Sequence, residues 1–126
     1  MKSSGEDKID TCAGGLRKIY LSNYTVSKPV IYSGDAEFTD MTLASDVYGK
    51  AECVVAEGVT KKVNAIIALY NGGELKAVDS KEVTLANGAI STNSLSYNPT
   101  DYDKVSVYLW DSATMAPITV KATLSK

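Results

Sequence analysis

Apolar and polar residues alternate along this chain with the two-residue period of extended strands, most clearly from Val63 to Leu85. The first arm of this stretch is apolar on nearly both faces, which are formed by Val63, Ala65, Ile67 and Leu69 and by Asn64, Ile66, Ala68 and Tyr70. Such a strand is covered on both sides or central in its sheet. Asn71-Gly72-Gly73 supplies residues that accept positive φ. The pattern therefore predicts a long β-hairpin whose first arm is central.

Shorter alternating segments are spaced along the rest of the chain between turn signals. They predict strands at residues 37–43, 48–56, 89–97, 104–110 and 118–124. In the fourth of these, Val105, Val107 and Leu109 are expected to point inward and Tyr108 and Trp110 outward. With the two hairpin arms this makes about seven strands, the number of a constant-type immunoglobulin sandwich. The predicted fold class is all-β, an immunoglobulin-like antiparallel β-sandwich with an extra N-terminal segment.

The N-terminal part of the chain changes character near residue 14. Residues 1–13 are polar and are expected to form a flexible leader. Residues 14–35 contain apolar side chains that are costly to leave in water, so this extension is expected to pack on the sandwich and complete a single domain of residues 14–126. A strand is predicted at 26–32, and Pro29, which cannot donate to a ladder, predicts an edge position for it.

Composition excludes several classes of function. The 126 residues include no histidine and carry a net charge of −2. The commonest general base and transition-metal ligand is therefore missing, and we expect no catalytic residue, no metal site and no cofactor. Charges are interspersed without a basic stripe, so nucleic acid is not expected as a partner. No apolar run reaches the roughly 20 residues of a membrane helix, so no membrane span is expected.

The two cysteines, Cys12 and Cys53, do not have metal-ligand spacing. They are either two separate thiols or one disulfide of an exported domain, and the sequence is compatible with both. A disulfide would attach the leader to the sandwich.

Tyrosine is the unusual component, with eight tyrosines against one Phe and one Trp. A tyrosine ring with its polar tip suits contact with sugars and with proteins. Tyr20, Tyr24 and Tyr32 in the extension are candidate ligand-facing aromatics, whereas Tyr70 and Tyr108 are expected to be structural. Trp110 is either a packing residue or a ligand platform.

Two segments resemble a known family. They are Ala65-Ile-Ile-Ala-Leu-Tyr-Asn-Gly-Gly-Glu-Leu and Lys104-Val-Ser-Val-Tyr-Leu-Trp-Asp-Ser-Ala-Thr-Met-Ala-Pro117. They look like an immunoglobulin-like (fibronectin type III-like) accessory domain of secreted and cell-surface proteins of Gram-positive bacteria. The resemblance covers residues 48–126 and leaves residues 1–35 unmatched. It implies a non-catalytic module attached to larger extracellular proteins, often carbohydrate-active enzymes or surface-layer proteins.

The sequence thus predicts a secreted or cell-surface accessory module that acts as a structural spacer or interaction domain. Its expected partners are neighbouring domains of a larger protein or a cell-surface polymer, although the chain lacks the apolar core of a signal peptide at its start. One alternative is a carbohydrate-binding module that uses exposed tyrosines. Another is a subunit that self-associates by exchanging its N-terminal strand.

Overall fold

The structure is a computed structural model that describes residues 23–126, all of which lie in strands, turns or irregular segments. The strands are β1 (Tyr24–Val26), β2 (Val30–Ser33), β3 (Ala36–Glu37), β4 (Ser45–Val55), β5 (Lys62–Asn71), β6 (Glu74–Thr84), β7 (Gly88–Ser91), β8 (Leu95–Tyr97), β9 (Lys104–Asp111) and β10 (Ala122–Ser125). The predicted all-β class with antiparallel sheets is confirmed. The predictions for the leader and for residues 14–22 lie outside the described residues.

The chain divides into two compact units. The described part of the smaller unit is residues 23–25 and 55–59, in which the amide of Ala56 donates to the carbonyl of Asn23 at 2.9 Å. The larger unit comprises Val26–Val54 and Thr60–Lys126. All the features that follow, unless stated otherwise, belong to the larger unit.

The first sheet is built around β4. Lys50 on β4 pairs with Val30 of β2 and with Ser91 of β7, so these two strands lie on opposite edges of β4. Further along, β8 also pairs with β4, and β3 pairs with β2. Pro29 precedes β2 and belongs to no strand. The prediction that it marks an edge strand is therefore wrong, because β2 has β4 on one side and β3 on the other.

The second sheet has the strand order β10-β9-β5-β6. Its β5-β6 hairpin confirms the prediction for Val63–Leu85, with β5 flanked by β9 and β6. Gly72 and Gly73 have φ of 62° and 82°, values that glycine adopts at no steric cost and that other residues rarely reach. β6 is one of the two edge strands and is mostly exposed.

Several predicted strand boundaries are wrong. The predicted strand 26–32 is divided between β1 and β2, and β4 begins at Ser45 rather than at residue 48. Residues 38–44 belong to no strand, and the Asp40 carboxylate accepts a hydrogen bond from the amide of Thr42 at 3.0 Å, which closes a local turn in place of a ladder. Residues 89–97 form two strands, since β7 ends at Ser91 and β8 begins at Leu95. The last strand begins at Ala122 rather than Ile118. These differences offset one another, so seven strands still run from β4 to β10.

Both sheets contribute to one hydrophobic core. Its buried members are Ile31 and Val47 from the first sheet, Ile67, Leu69, Val105, Val107 and Ala122 from the second, and Phe38, Met41 and Tyr97. Ile67 and Val107 are completely buried, as the alternation predicted. Tyr97 is 1% exposed, and its hydroxyl donates to the carbonyl of Met41 at 2.7 Å. A buried phenol is therefore hydrogen-bonded within this core.

The two sheets approach each other closely at Gly49 on β4. A Cβ atom at this position would lie 2.4 Å and 2.6 Å from the two γ carbons of Val107 on β9. Van der Waals contact between carbon atoms needs roughly 3.5–4.0 Å. Only a glycine therefore allows β4 and β9 to come this close.

We expect Gly49→Ala to destabilise the fold by about 1–3 kcal/mol, since the added methyl group overpacks a filled core. Val107→Ala should cost a similar amount through lost burial. In the double variant the smaller residue 107 leaves room for the new methyl group, so the combined loss should fall about 1 kcal/mol or more short of the sum. Urea melts of the four proteins measure this coupling.

Val63→Ala provides the matched control for this cycle. Val63 is also completely buried in the second sheet, but it lies four residues along β5 from Ile67, which pairs with Val107. The losses from Gly49→Ala and Val63→Ala should therefore add. Additive losses for Gly49 and Val107 as well would mean that the two residues are not in contact.

Candidate functional site

The outer face of the second sheet carries a row of aromatic side chains. Val105, Val107 and Leu109 point into the core, so the residues between them on β9 face away from it. Tyr108 and Trp110 are among these outward residues, as predicted. Their ring centroids are 5.6 Å apart, at an interplanar angle of 54°. We call the outward side chains of Tyr70, Tyr108 and Trp110 the aromatic face.

Tyr70 and Tyr108 lie along the sheet rather than standing out from it. In the ladder Tyr70 is opposite Lys104, whereas Tyr108 is opposite Ile66, so the two tyrosines are four residues apart along the strands. This corresponds to about 13 Å. Their hydroxyl oxygens are nevertheless 2.7 Å apart. Both side chains must extend toward each other across the sheet surface to close that distance.

Two small residues lie between these tyrosines in the ladder. Ala68 and Ser106 are cross-strand partners on the outward face, yet they are only 2% and 1% exposed. We infer that the two phenol rings fill the room that these small residues leave above the sheet. Burial of its hydroxyl, and secondly the hydrogen bond with Tyr108, raises the pKa of Tyr70 to about 12. Tyr70 is therefore protonated at neutral pH.

A cleft of about 250 Å³ opens beside this pair, lined by Tyr108, Trp110, Pro117, Thr119, Val120 and Lys121. Its walls are mainly apolar. Val120 is 72% exposed at its rim, so an apolar side chain faces solvent there.

The cleft arises from a mismatch in length between β9 and the chain that returns beside it. Pro117 bridges to Trp110, and Ala122 pairs with Val107. Four residues, 118–121, separate Pro117 from Ala122, whereas only two, 108 and 109, separate Val107 from Trp110. The returning chain therefore leaves the ladder over these residues. Bulges of this kind are common beside functional sites, where they redirect side chains.

Two ammonium groups lie over the rings of the aromatic face. The Nζ of Lys104 is 4.6 Å from the centroid of the Tyr70 ring, and the Nζ of Lys121 is 6.0 Å from that of Tyr108. A cation at such distances is attracted by the negative face of an aromatic ring. The site thus combines aromatic surface with positive charge.

An ion pair closes the loop that follows Trp110. The ammonium of Lys61 pairs with Asp111, whose other carboxylate oxygen accepts hydrogen bonds from the amides of Ala113 at 2.8 Å and Thr114 at 3.1 Å. These contacts, with that from Lys61 the largest, lower the pKa of Asp111 to about 2. The loop that carries Pro117 is therefore anchored to the start of β5.

Within the larger unit, the candidate Tyr32 lies on the other sheet. It is on the outer face of the first sheet, stacked on Tyr48 with centroids 5.9 Å apart and with the Nζ of Lys50 at 5.1 Å from its ring. Tyr24 belongs to β1 and to the smaller unit, whereas Tyr20 lies outside the described residues. Of the two predicted ligand-facing residues described in the larger unit, Tyr32 and Trp110, Trp110 belongs to the aromatic face.

Sequence reasoning assigned Tyr70 and Tyr108 to structural roles and did not single out Lys104 or Lys121. The alternation predicted that Tyr108 lies beside Trp110 on the outward face. That pattern was sufficient to predict Tyr108 as a candidate site residue. No pattern in the sequence indicates that Tyr70 meets Tyr108, because this contact depends on the register between β5 and β9.

Cys53 is 3% exposed and forms no disulfide with any residue of the range 23–126. Burial, and secondly the charge of Glu52, raises the pKa of this thiol. Cys12 lies outside the described residues, so the disulfide between the two stays a prediction.

Comparisons with protein-family models, with curated proteins and with solved structures found no match for this chain. Within residues 23–126, no group of three or more His, Cys, Asp and Glu side chains is placed to hold a metal ion. In the same range no helix is long and apolar enough to span a membrane.

We expect the stability of the protein to fall between about pH 10 and pH 12 because of Tyr70. Its pKa is raised on folding, so the stabilisation is complete below its ordinary value of 10.0 and is lost as the pH rises through about 12. Urea melts across this range should show a shallower decline for Tyr70→Phe. Tyr108→Phe should reduce the slope only in part, since burial remains. An undiminished decline in Tyr70→Phe would contradict the raised pKa of Tyr70.

At low pH we expect Asp111 to make the stability of the protein fall as the pH falls. Its pKa is lowered on folding, so its stabilisation is present above the ordinary value of 3.8 and is lost as the pH falls through about 2. Asp111→Asn should therefore flatten the stability profile between these values. Lys61→Met should flatten it less, because the amides of Ala113 and Thr114 still hold the carboxylate. Equal slopes in the wild type and Asp111→Asn would exclude this role.

Proposed function

We propose that the protein is a non-catalytic accessory module with an immunoglobulin-like β-sandwich fold, which binds a glycan on the outer face of its four-stranded sheet. The aromatic face is the observation that carries this proposal. Two rings meet through their hydroxyls on the sheet surface and a third borders an apolar cleft, so the face offers aromatic surface on which sugar rings can stack.

The sandwich part of the proposal is supported by the core. Residues of two antiparallel sheets share one hydrophobic cluster, and β4 and β9 approach each other closely at Gly49. Seven strands from β4 to β10 agree in number with a constant-type immunoglobulin sandwich. The resemblance of residues 48–126 to accessory domains is consistent with the same class.

A non-catalytic role is supported by the titratable groups. The chain has no histidine, and its strongly shifted carboxyl group, Asp111, is shifted toward a lower pKa. A general acid or base works best with a pKa near the working pH. The shift of Asp111 is thus in the direction that suits an ion pair and not proton transfer.

The accessory role, the exported location and the attachment to a larger protein rest on the resemblance of the two segments between Ala65 and Pro117. Modules of this class act beside other domains at the cell surface, where glycans are abundant. Self-association through the N-terminal strand stays a prediction, because residues before Asn23 lie outside the described part of the chain.

A glycan array that includes neutral and acidic oligosaccharides tests the proposal, with binding of the best ligands measured by titration. Trp110→Ala should weaken binding by roughly tenfold or more, the usual effect of removing an aromatic anchor. Tyr32→Ala is the matched control, since it removes a stacked ring from the other sheet. A wild-type protein that binds no glycan, or equal loss in both variants, would contradict the proposal and favour a spacer.

A further inference from the structure

We infer that the aromatic face selects an acidic glycan, with sugar rings stacked on Tyr108 and Trp110 and carboxylates paired with Lys104 and Lys121. The inference rests on the proposed function and names the ligand class of the same site. It is carried by the distribution of charge over the outer face of the second sheet.

Three of the four strands in this sheet present no carboxylate outward. Their outward residues are Lys62, Asn64, Ile66, Ala68 and Tyr70 on β5, Lys104, Ser106, Tyr108 and Trp110 on β9, and Thr123 and Ser125 on β10. Lys121 lines the cleft and immediately precedes β10 in the sequence. The chain as a whole carries a net charge of −2. Positive charge is therefore concentrated on this surface against the overall balance.

On the edge strand β6 the outward carboxylate is Glu82, which is opposite Asn64 and accepts a hydrogen bond from the hydroxyl of Ser112. Glu74 is opposite Asn71, on the other side of the register, and forms an ion pair with Lys76 at 3.1 Å. Neither of these contacts involves Lys104 or Lys121. An anionic ligand bound over β9 would therefore lie closer to lysine ammonium groups than to a carboxylate of this face.

Lys104 and Lys121 have ammonium hydrogens to donate. Among the described residues neither lysine forms an ion pair, and the recorded contact of each is with a tyrosine ring. A ring face attracts a cation without accepting its hydrogen bonds at full strength, and an ammonium group has three donors. A carboxylate placed above the rings would satisfy these donors.

The two lysines lie over different rings of the aromatic face, which suits an oligomeric ligand. The Nζ of Lys104 lies over Tyr70 and that of Lys121 lies over Tyr108. A sugar chain that covers both rings would bring its carboxylates to both ammonium groups. The cleft beside Trp110 would hold one ring, and the surface over Tyr108 and Tyr70 would hold the next.

Other polyanions fit this surface less well. A nucleic acid requires neutralisation of many successive phosphates, and Glu74 and Glu82 at the β6 edge would repel such a backbone. An acidic peptide would reach the lysines but has no ring to stack on Tyr108 and Trp110. An acidic sugar uses both features of the site.

Titration calorimetry with matched ligands tests the inference. The probes are oligomers of galacturonic, glucuronic and mannuronic acid, each with its carboxyl-reduced neutral counterpart of equal length. We expect at least one acidic oligomer to bind tenfold or more tightly than its counterpart, with a preference that decreases as salt is added. The double variant Lys104→Gln/Lys121→Gln should lose the preference. Lys50→Gln, which removes a lysine lying over a tyrosine ring on the other sheet, should keep it.

Two results would overturn the inference while leaving the proposed function intact. One is equal binding of acidic and neutral oligomers, with both weakened in Trp110→Ala. The other is binding of neutral glycans on the array without binding of any acidic oligomer. Polyglutamate of matched charge that binds as tightly as the best acidic oligomer would also overturn it, because the site would then select charge alone. Thermal melts of each variant establish that the fold is retained.

Discussion

The contact between Gly49 and Val107 is the constraint on which the rest of the structure depends. A missing side chain on β4 lets the γ carbons of Val107 come close to the opposite backbone, and this fixes how near the two sheets lie. Because side chains alternate along a strand, Val105 and Leu109 point into the core when Val107 does. The same alternation turns Tyr108 and Trp110 outward. The packing of Val107 against Gly49 on one side of β9 therefore determines which residues of β9 lie on the outer surface.

The aromatic face is held in place by packing and hydrogen bonding together. Ala68 and Ser106 are small enough for two phenol rings to lie over them, and the rings are joined through their hydroxyls at 2.7 Å. Rings fixed in this way lose little rotational freedom when a ligand binds, which lowers the entropic cost of binding. Trp110 is fixed differently, between the ring of Tyr108 and the loop that Asp111 and Lys61 anchor.

Sequence reasoning succeeds where structure is local and periodic. The hairpin around Gly72 and Gly73 and the inward residues of β9 follow from alternation and turn chemistry alone. It fails at residues 38–44, where alternation is present but Asp40 closes a turn. It also misses the cleft, because a bulge depends on the relative lengths of two strands and not on either sequence. Among the residues of the aromatic face, only Trp110 was predicted from the sequence as a candidate ligand-binding residue. Alternation places Tyr108 and Tyr70 on the outward face but does not show whether another part of the protein covers that face.

The edges of the second sheet explain why a ligand would use its face. β6 is an exposed edge strand, and an exposed edge can pair with a further strand. However, Asp79 and Lys81 lie opposite Ile67 and Ala65, so charged side chains point toward the core side at this edge. Asp79 is also held across the molecule by the side-chain amide of Asn93 at 3.3 Å. Inward charges of this kind oppose the addition of another strand, since the added strand would have to bury apolar residues against them. With strand addition disfavoured at β6, the outward rings and lysines of β5 and β9 are the surface on which we place the proposed ligand.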